Sequence, residues 1–349
     1  MKVLITGGCG FLGSNLAASL LEDENNVLIL DSLFRSGSKN NLDWLLSKSK
    51  NNKLSFVQGD LANKELVEAV FRRYGPFDFI CHVGGQVAMT TSLNDPLRDL
   101  QTNVIGTFNI LEATRKFSPE SLIAYSSTNK VYGDLEHLNY SESKKRYFLE
   151  DFLNGLDENV PLDFSTPYGC SKGAADQYVR DWTRVYGLKT VVFRHSSIYG
   201  GRQFASYDQG WIGWFCKMAL QQKEQFLEKK SIEPFTISGT GKQVRDVLHA
   251  DDLINLYLTA YKNKEKVKGQ IFNIGGGIKN SLSILELLDF LAEQVEMPSL
   301  KFEHIKRRTS DQDFFVADIE KAKRILNWEP KVTYQKGIKK MLVWIKSCS

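Results

Sequence analysis

A tyrosine and a lysine stand four residues apart in STPYGCSKGAADQY, residues 165–178. On a helix, Tyr168 and Lys172 would share one face, one turn apart. A free phenol ionises near pH ~10, so its use as a base near neutrality requires help from a neighbouring cation. A phenol tuned in this way can take a proton from a hydroxyl while hydride leaves the carbon. Pro167 and the small Gly169, Cys170 and Ser171 favour close approach of a ligand. The same spacing also describes a solvated pair on a helix surface, and this stretch alone leaves both readings open.

Other groups could serve the same chemistry. AYSSTNKVYG, residues 124–133, follows a strand end and puts the hydroxyls of Ser126, Ser127 and Thr128 at a carboxyl edge, where open α/β sheets bind ligands. Loop capping is the alternative use. In GGCGFLG, Gly7, Gly10 and Gly13 follow a strand and open a helix. That arrangement lets backbone approach a pyrophosphate and offers it the helix's free amides, including those of Phe11 and Leu12. Asp31 ends the next strand, 18 residues past Gly13, where a carboxylate takes both hydroxyls of an adenosine ribose. An acid there favours NAD over NADP, with Ser32 and Arg35 beside it. Asp60-Leu61 follows the third strand, to reach an adenine edge or to cap a helix. Gly84 and Gly85 after the fourth strand make either a close cofactor contact or a plain loop.

The elements that must hold these groups alternate. Strands are expected at Lys2–Thr6, Val27–Asp31, Leu54–Val57, Phe77–His82, Ser121–Tyr125 and Thr190–Arg194, with helices at 14–21, 63–74, 103–117 and 174–186. This predicts an α/β fold, a Rossmann-type doubly wound parallel sheet with a smaller mixed α/β C-terminal domain. Residues 133–166 read as a solvated excursion with a charge-rich helix near 142–156. The expected division gives 1–200, with 240–272 returning, to a cofactor domain, and 201–239 with 273–349 to a substrate domain.

The bulk numbers suit this. The chain has 349 residues, 42% of them apolar and 25% charged, and a net charge of +4, which calls for no nucleic-acid surface. Its five cysteines, at 9, 81, 170, 216 and 348, form no CxxC and suggest neither metal nor disulfides, only small reduced core residues. No run of 18 apolar residues occurs, and MKVLIT leaves no room for a signal peptide, so a cytoplasmic protein is expected.

GGCGFLG, SSTNKVYGD, TPYGCSKGAADQYVRD, GGQVAMTTSLNDP and FRHSSIYGGRQFASYDQGWIGWF together resemble the extended short-chain dehydrogenase/reductase family, in its nucleotide-sugar epimerase and dehydratase branch. The resemblance covers nearly the whole chain. The nearer pattern is that of enzymes epimerising CDP-linked 3,6-dideoxyhexoses at C2. It implies NAD as cofactor, no metal, a nucleotide-diphosphate sugar as substrate, and a homo-oligomer, dimer or tetramer. Tyr168 takes the place of the family base, Lys172 its partner and Thr128 its hydroxyl donor.

The resemblance also puts Val83, Gly84, Gly85, Gln86, Asn103, Ser126 and His195 at the cofactor with the glycine turn, Asp31, Ser32, Asp60 and Leu61. Gln86, Thr128, Ser197, Arg202, Gln203, Tyr207 and Gln209 fall at the substrate, with Asp208 and Trp211 beside them. Arg245 and Arg308 are assigned to the diphosphate and Asp311 to the nucleotide ribose. The aromatics Tyr207, Trp211, Trp214 and Phe215 equally suit core packing. Two departures stand out. Ser197 replaces an Asn often used near the diphosphate. Asn129 and Lys130 stand where dehydratases carry Asp-Glu, and an amide and an ammonium cannot supply the carboxylate chemistry that water loss requires.

Overall fold

Strands β1 (Lys2–Thr6), β2 (Asn26–Asp31), β3 (Leu54–Gln58) and β4 (Phe79–His82) are separated by helices α1 (Phe11–Glu22), α2 (Ser38–Lys48) and α3 (Lys64–Tyr74). The computed structural model describes every residue except Lys50, Ala88, Asp208, Thr309 and Ser349, and the side chains of Met89 and Thr90. After β4, short helices α4 (Met89–Asn94) and α5 (Pro96–Asp99) lead through a π-turn, Leu100–Ile105, into α6 (Gly106–Phe117) and β5 (Leu122–Thr128). A ribbon, β6 (Ser141–Glu142) and β7 (Tyr147–Phe148), precedes α7 (Thr166–Tyr186) and β8 (Lys189–His195).

The second half begins with β9 (Ser197–Tyr199), α8 (Trp211–Leu227), β10 (Phe235–Ser238) and β11 (Val244–His249). Then come α9 (Ala250–Lys262), α10 (Lys264–Val267), β12 (Gln270–Ile274), β13 (Ser281–Ser283) and α11 (Ile284–Gln294). The chain closes with β14 (Phe302–Ile305), β15 (Phe314–Phe315), α12 (Glu320–Leu326) and α13 (Tyr334–Cys348).

Seven parallel strands form the main sheet in the order β12-β8-β5-β4-β1-β2-β3. Its strands are apolar on both faces because helices cover both, as a parallel sheet requires. Val3, Ile5, Val27 and Phe193 pack under α1 and α9 on one face, and Leu4, Leu28, Ile80 and Val192 under α3, α6 and α7 on the other. The strand order reverses between β1 and β4. Ligands of open α/β sheets bind in the crevice at such a reversal. The second unit joins β11 to β9, β13 and β15, and β10 to β14, with α8, α11 and α13 around its own apolar core.

Several expectations need correcting. Residues 142–156 form no helix, and 133–166 is no solvated excursion. Leu135, Leu149, Leu156 and Val160 are buried against Val244 and Phe314–Ala317. Charges at many positions suggested a helix surface, but here single leucines anchor an irregular strap. Asn103 sits in the π-turn ahead of α6, not in an α-helix. Helix α7 starts at Thr166, eight residues earlier than expected, so Tyr168 and Lys172 lie in its opening turns. Cys9, Cys81 and Cys216 are buried, but Cys170 and Cys348 are exposed. Among the described residues no helix is long and apolar enough to cross a membrane.

Candidate active site

The glycine turn is a packing requirement before it is a binding feature. Gly7 has φ +67, and a Cβ there would lie 2.5 Å from the Cα of Gly84. A Cβ on Gly13 would lie 2.2 Å from the Gly7 carbonyl oxygen. The turn after β1 therefore nests against the end of β4. Gly10 caps α1 without any side-chain bond, so the first amides of the helix remain available to an anion.

Asp31 is fixed beside this turn. Its carboxylate accepts from the Cys9 amide at 2.9 Å and the Leu33 amide at 2.7 Å. Burial raises its pKa, and those bonds, with one from Gly10, hold it back. Asn63, not Asp60, caps α3, accepting from Leu66 at 2.9 Å.

One cleft of about 530 Å³ runs from this turn to the reactive pair. Gly7, Gly10, Phe11, Leu12, Gly13, Asp31, Ser32, Asp60, Leu61, Val83, Gly84, Gly85 and Gln86 line one end. Ser126, Thr128, Tyr168, His195, Ser197, Gln203, Gln209 and Trp211 line the other, while Arg202 lines the cleft beside α2, its guanidinium over Trp44 and its carbonyl accepting from Asn41. Tyr168 is only 8% exposed. Burial pushes its phenol up to about 12, while the Thr128 hydroxyl bonded to it and the Arg35 charge pull it down and Asp99 adds to the rise.

Two groups stand behind this wall without lining it. The Lys172 ammonium donates to the Ser126 carbonyl at 2.5 Å, and burial draws its pKa down to about 7 against the pull of Asp176. Asn103 accepts from the Gln86 amide at 2.8 Å and donates to the Gln86 carbonyl at 3.1 Å and the Ser171 hydroxyl at 2.9 Å. It thereby ties the loop after β4 to α7.

His195 joins Ser126 through Nδ1 at 3.1 Å, and its buried Nε2 has no partner among the described residues. Burial first, then Lys172, lower its pKa to about 3, so the imidazole stays neutral. The shelf beneath is an ion pair. Arg194 grips Asp176 at 2.9 and 3.0 Å and donates to the Tyr132 hydroxyl at 2.9 Å, while Ser127 donates to Asp176 at 2.8 Å.

Four residues assigned to the substrate lie outside the cleft lining. Arg245 pairs with Asp311 at 2.8 Å, and Arg308 donates to the Tyr207 carbonyl at 3.1 Å and covers the Tyr207 ring. They form a second polar cluster on the smaller unit. Lys130 reaches it by donating to the Ser310 carbonyl at 2.9 Å, and Asn129 donates to Gln312 at 2.8 Å. Asp208 falls outside the described residues. Trp211 donates to Ser197 at 3.1 Å. Trp214 stands edge-on to Tyr207, whereas Phe215 is core.

Sequence reasoning missed Phe34, Arg98, Thr91, Thr102 and Asn41 in the cleft wall, and read Arg35 only as a question over the ribose. Arg35 stands four residues past Asp31, a usable signal. Nothing in the spacing marks Arg98.

Sheet order, glycine turn and the Tyr168–Lys172 helix together define the short-chain dehydrogenase/reductase class. The chain belongs to the GDP-mannose 4,6 dehydratase family, whose pattern matches residues 4–341. It is 52% identical over 347 residues to the CDP-paratose 2-epimerase of Salmonella typhi, covering 99% of this chain and 100% of that one. The Thermotoga maritima UDP-glucose 4-epimerase, solved with UDP-glucose, superposes with a TM-score of 0.81 at 27% identity, over 100% and 99% of the two chains. The Thermus thermophilus UDP-glucose 4-epimerase, solved with NAD, gives 0.79 at 26% identity and covers both chains fully.

Proposed function

We propose that this protein is an NAD-dependent epimerase that inverts C2 of a CDP-linked 3,6-dideoxyhexose, converting CDP-paratose to CDP-tyvelose. The observation that carries this reading is the single cleft shared by the glycine turn and the Tyr168 phenol. The 52% identity to a CDP-paratose 2-epimerase supports the choice of sugar and carbon.

The cleft suits a dinucleotide. A tight glycine turn packed against Gly84, a helix start with no side-chain cap and the fixed Asp31 carboxylate match a pyrophosphate and a ribose. NAD bound there would supply a hydride acceptor that becomes the donor on the return.

The chain's own residues handle the proton and the sugar. Tyr168 takes the C2 hydroxyl proton as the carbon is oxidised, leaving a 2-keto sugar. Thr128 holds the oxygen by its hydroxyl, and the Lys172 charge favours the phenolate. The diphosphate stays with Arg245 and Arg308, and Asp311 takes the nucleotide ribose. The keto sugar turns on that anchor, and Tyr168 returns the proton after reduction from the other face. Anchoring remote groups supplies binding energy while the reacting ring stays free to rotate. Dehydration is disfavoured because Asn129 and Lys130 are tied to Gln312 and Ser310, with no carboxylate at those positions.

The same reading assigns 1–200 and 240–272 to NAD and 201–239 with 273–349 to the nucleotide sugar, except that β9 and β11, which carry Ser197 and Arg245, pair within the smaller unit. Leu97, Leu100, Ile105 and Phe108 are exposed beside Tyr178, Val185 and Tyr186 of α7, an apolar face suited to a second copy of the chain. The five cysteines, none in a disulfide, suit the reducing cytoplasm.

CDP-paratose deuterated at C2 tests the proposal. Deuterium retained at C2 of CDP-tyvelose supports internal return. Deuterium lost to solvent, or inversion at another carbon by NMR, overturns it.

A further inference from the structure

Two guanidinium groups in the cleft wall have no role in the site described above. Arg35 lies in the loop after β2, and Arg98 in α5 after β4; both line the cleft. Of the other arginines near the site, Arg194 pairs with Asp176 and Arg245 with Asp311, Arg308 donates to the Tyr207 carbonyl, and Arg202 lies over the Trp44 ring at the α2 side of the cleft. Among the described residues, the side chains of Arg35 and Arg98 have neither a carboxylate nor a carbonyl partner. Arg98 instead lies flat on Phe34, 3.3 Å from its ring centroid. Arg35 lines the same cleft as the Tyr168 phenol. A guanidinium taken from water without an acceptor is costly, and an anion brought to it recovers the loss.

Sheet order places this pair. Strands β2 and β4 flank β1, so the loops that carry Phe34 and Arg98 rise on either side of the glycine turn. The Phe34–Arg98 contact therefore joins segments that follow the two strands flanking β1. We propose that Arg35 and Arg98 grip the pyrophosphate of the dinucleotide from the side opposite the glycine turn, and that Phe34 stacked on Arg98 closes the cleft over it. This rests on the reading of NAD as resident cofactor. Guanidinium groups match phosphate oxygens in pairs. The Asp31 carboxylate between the loop and the turn argues against a ribose 2′-phosphate as the anion. The separate Arg245–Arg308 cluster leaves the substrate diphosphate to other residues. A closed stack holds the cofactor through the keto stage, when its loss would strand the sugar.

The test loads the full chain with fluorescent 1,N6-etheno-NAD and chases it with excess NAD. Phe34→Ala and Arg98→Ala should release the label about tenfold faster than the native chain, the scale of one charge-assisted bond. Arg35→Ala should weaken NAD binding about tenfold. Phe34→Leu and Arg98→Lys, with circular dichroism, guard against misfolding. Native-rate release from both alanine variants overturns the proposal. So do arginine variants that bind CDP or NADP less well while NAD exchange stays unchanged. Exchange is read without turnover. A protein that retains NAD behind the stack yet epimerises nothing sinks the epimerase reading alone. Active variants with native exchange sink this inference alone, and failure to bind dinucleotide sinks both.

Discussion

The Lys172 ammonium donates to the Ser126 carbonyl at 2.5 Å and lies 4.3 Å from the centroid of the Tyr125 ring. Lys172 thus braces the end of β5 from one turn beyond Tyr168 on α7. Burial brings its pKa to about 7. Its charge is full below that value and fades as pH rises through it. The pH profile of kcat should show a falling limb above about pH 7, and Lys172→Met should lower kcat and erase that limb. A limb that persists in the variant would assign it elsewhere.

Tyr168→Phe removes the proposed proton acceptor and little else, because the ring is buried and its shape is kept. Turnover should fall by about 10²–10⁴, the usual worth of a general base. Thermal unfolding and NAD binding should stay near native. Unchanged turnover would point to a non-catalytic NAD-binding protein.

Asp176→Asn leaves Arg194 buried without its counter-charge. Breaking such a pair costs about 3–5 kcal/mol, read as a lower urea midpoint. The same change removes the anion that raises the Lys172 pKa. The falling limb of the kcat profile should therefore move to lower pH.

His82 is bonded to Thr6 at 2.7 Å and Thr107 at 2.9 Å, and burial followed by the Lys172 charge lowers its pKa from 6.5 to about 3; His195 is lowered as far. An unfolded chain binds these protons at higher pH than the folded one. The stability they confer is complete above 6.5 and is lost as pH falls towards about 3. The unfolding temperature should drop over that range, less steeply in His82→Gln.

Phe108 stands edge-on to Tyr178 and Trp182, and Trp182 leans on Tyr186, giving the exposed face of α6 and α7 an aromatic ridge. Phe108→Glu should convert an oligomer into a monomer by sedimentation. An unaltered sedimentation coefficient would place the contact on another surface.

Local patterns carried much of this protein. Apolar runs gave six of the seven strands of the main sheet, since a strand buried on both faces must be apolar throughout; the edge strand β12 was not among them. The glycine turn was legible because only glycine fits where Gly7 meets Gly84 and where Gly13 meets the Gly7 carbonyl. Tyr168 and Lys172 were legible because helix geometry fixes residues four apart on one face. The strap at 133–166 was misread because its leucines find partners at 314–317, far away in sequence, so no period records them.

What only the tertiary structure decided concerns direction and pairing. Composition could not say that Lys172 would turn to the Ser126 carbonyl, that Arg245 would meet Asp311, or that Phe34 and Arg98 would touch. Each joins segments whose approach is set by the order of strands in the sheet. A sequence dictates the period and chemistry of each element, whereas the partner of a charged side chain follows from which elements the packed core brings side by side.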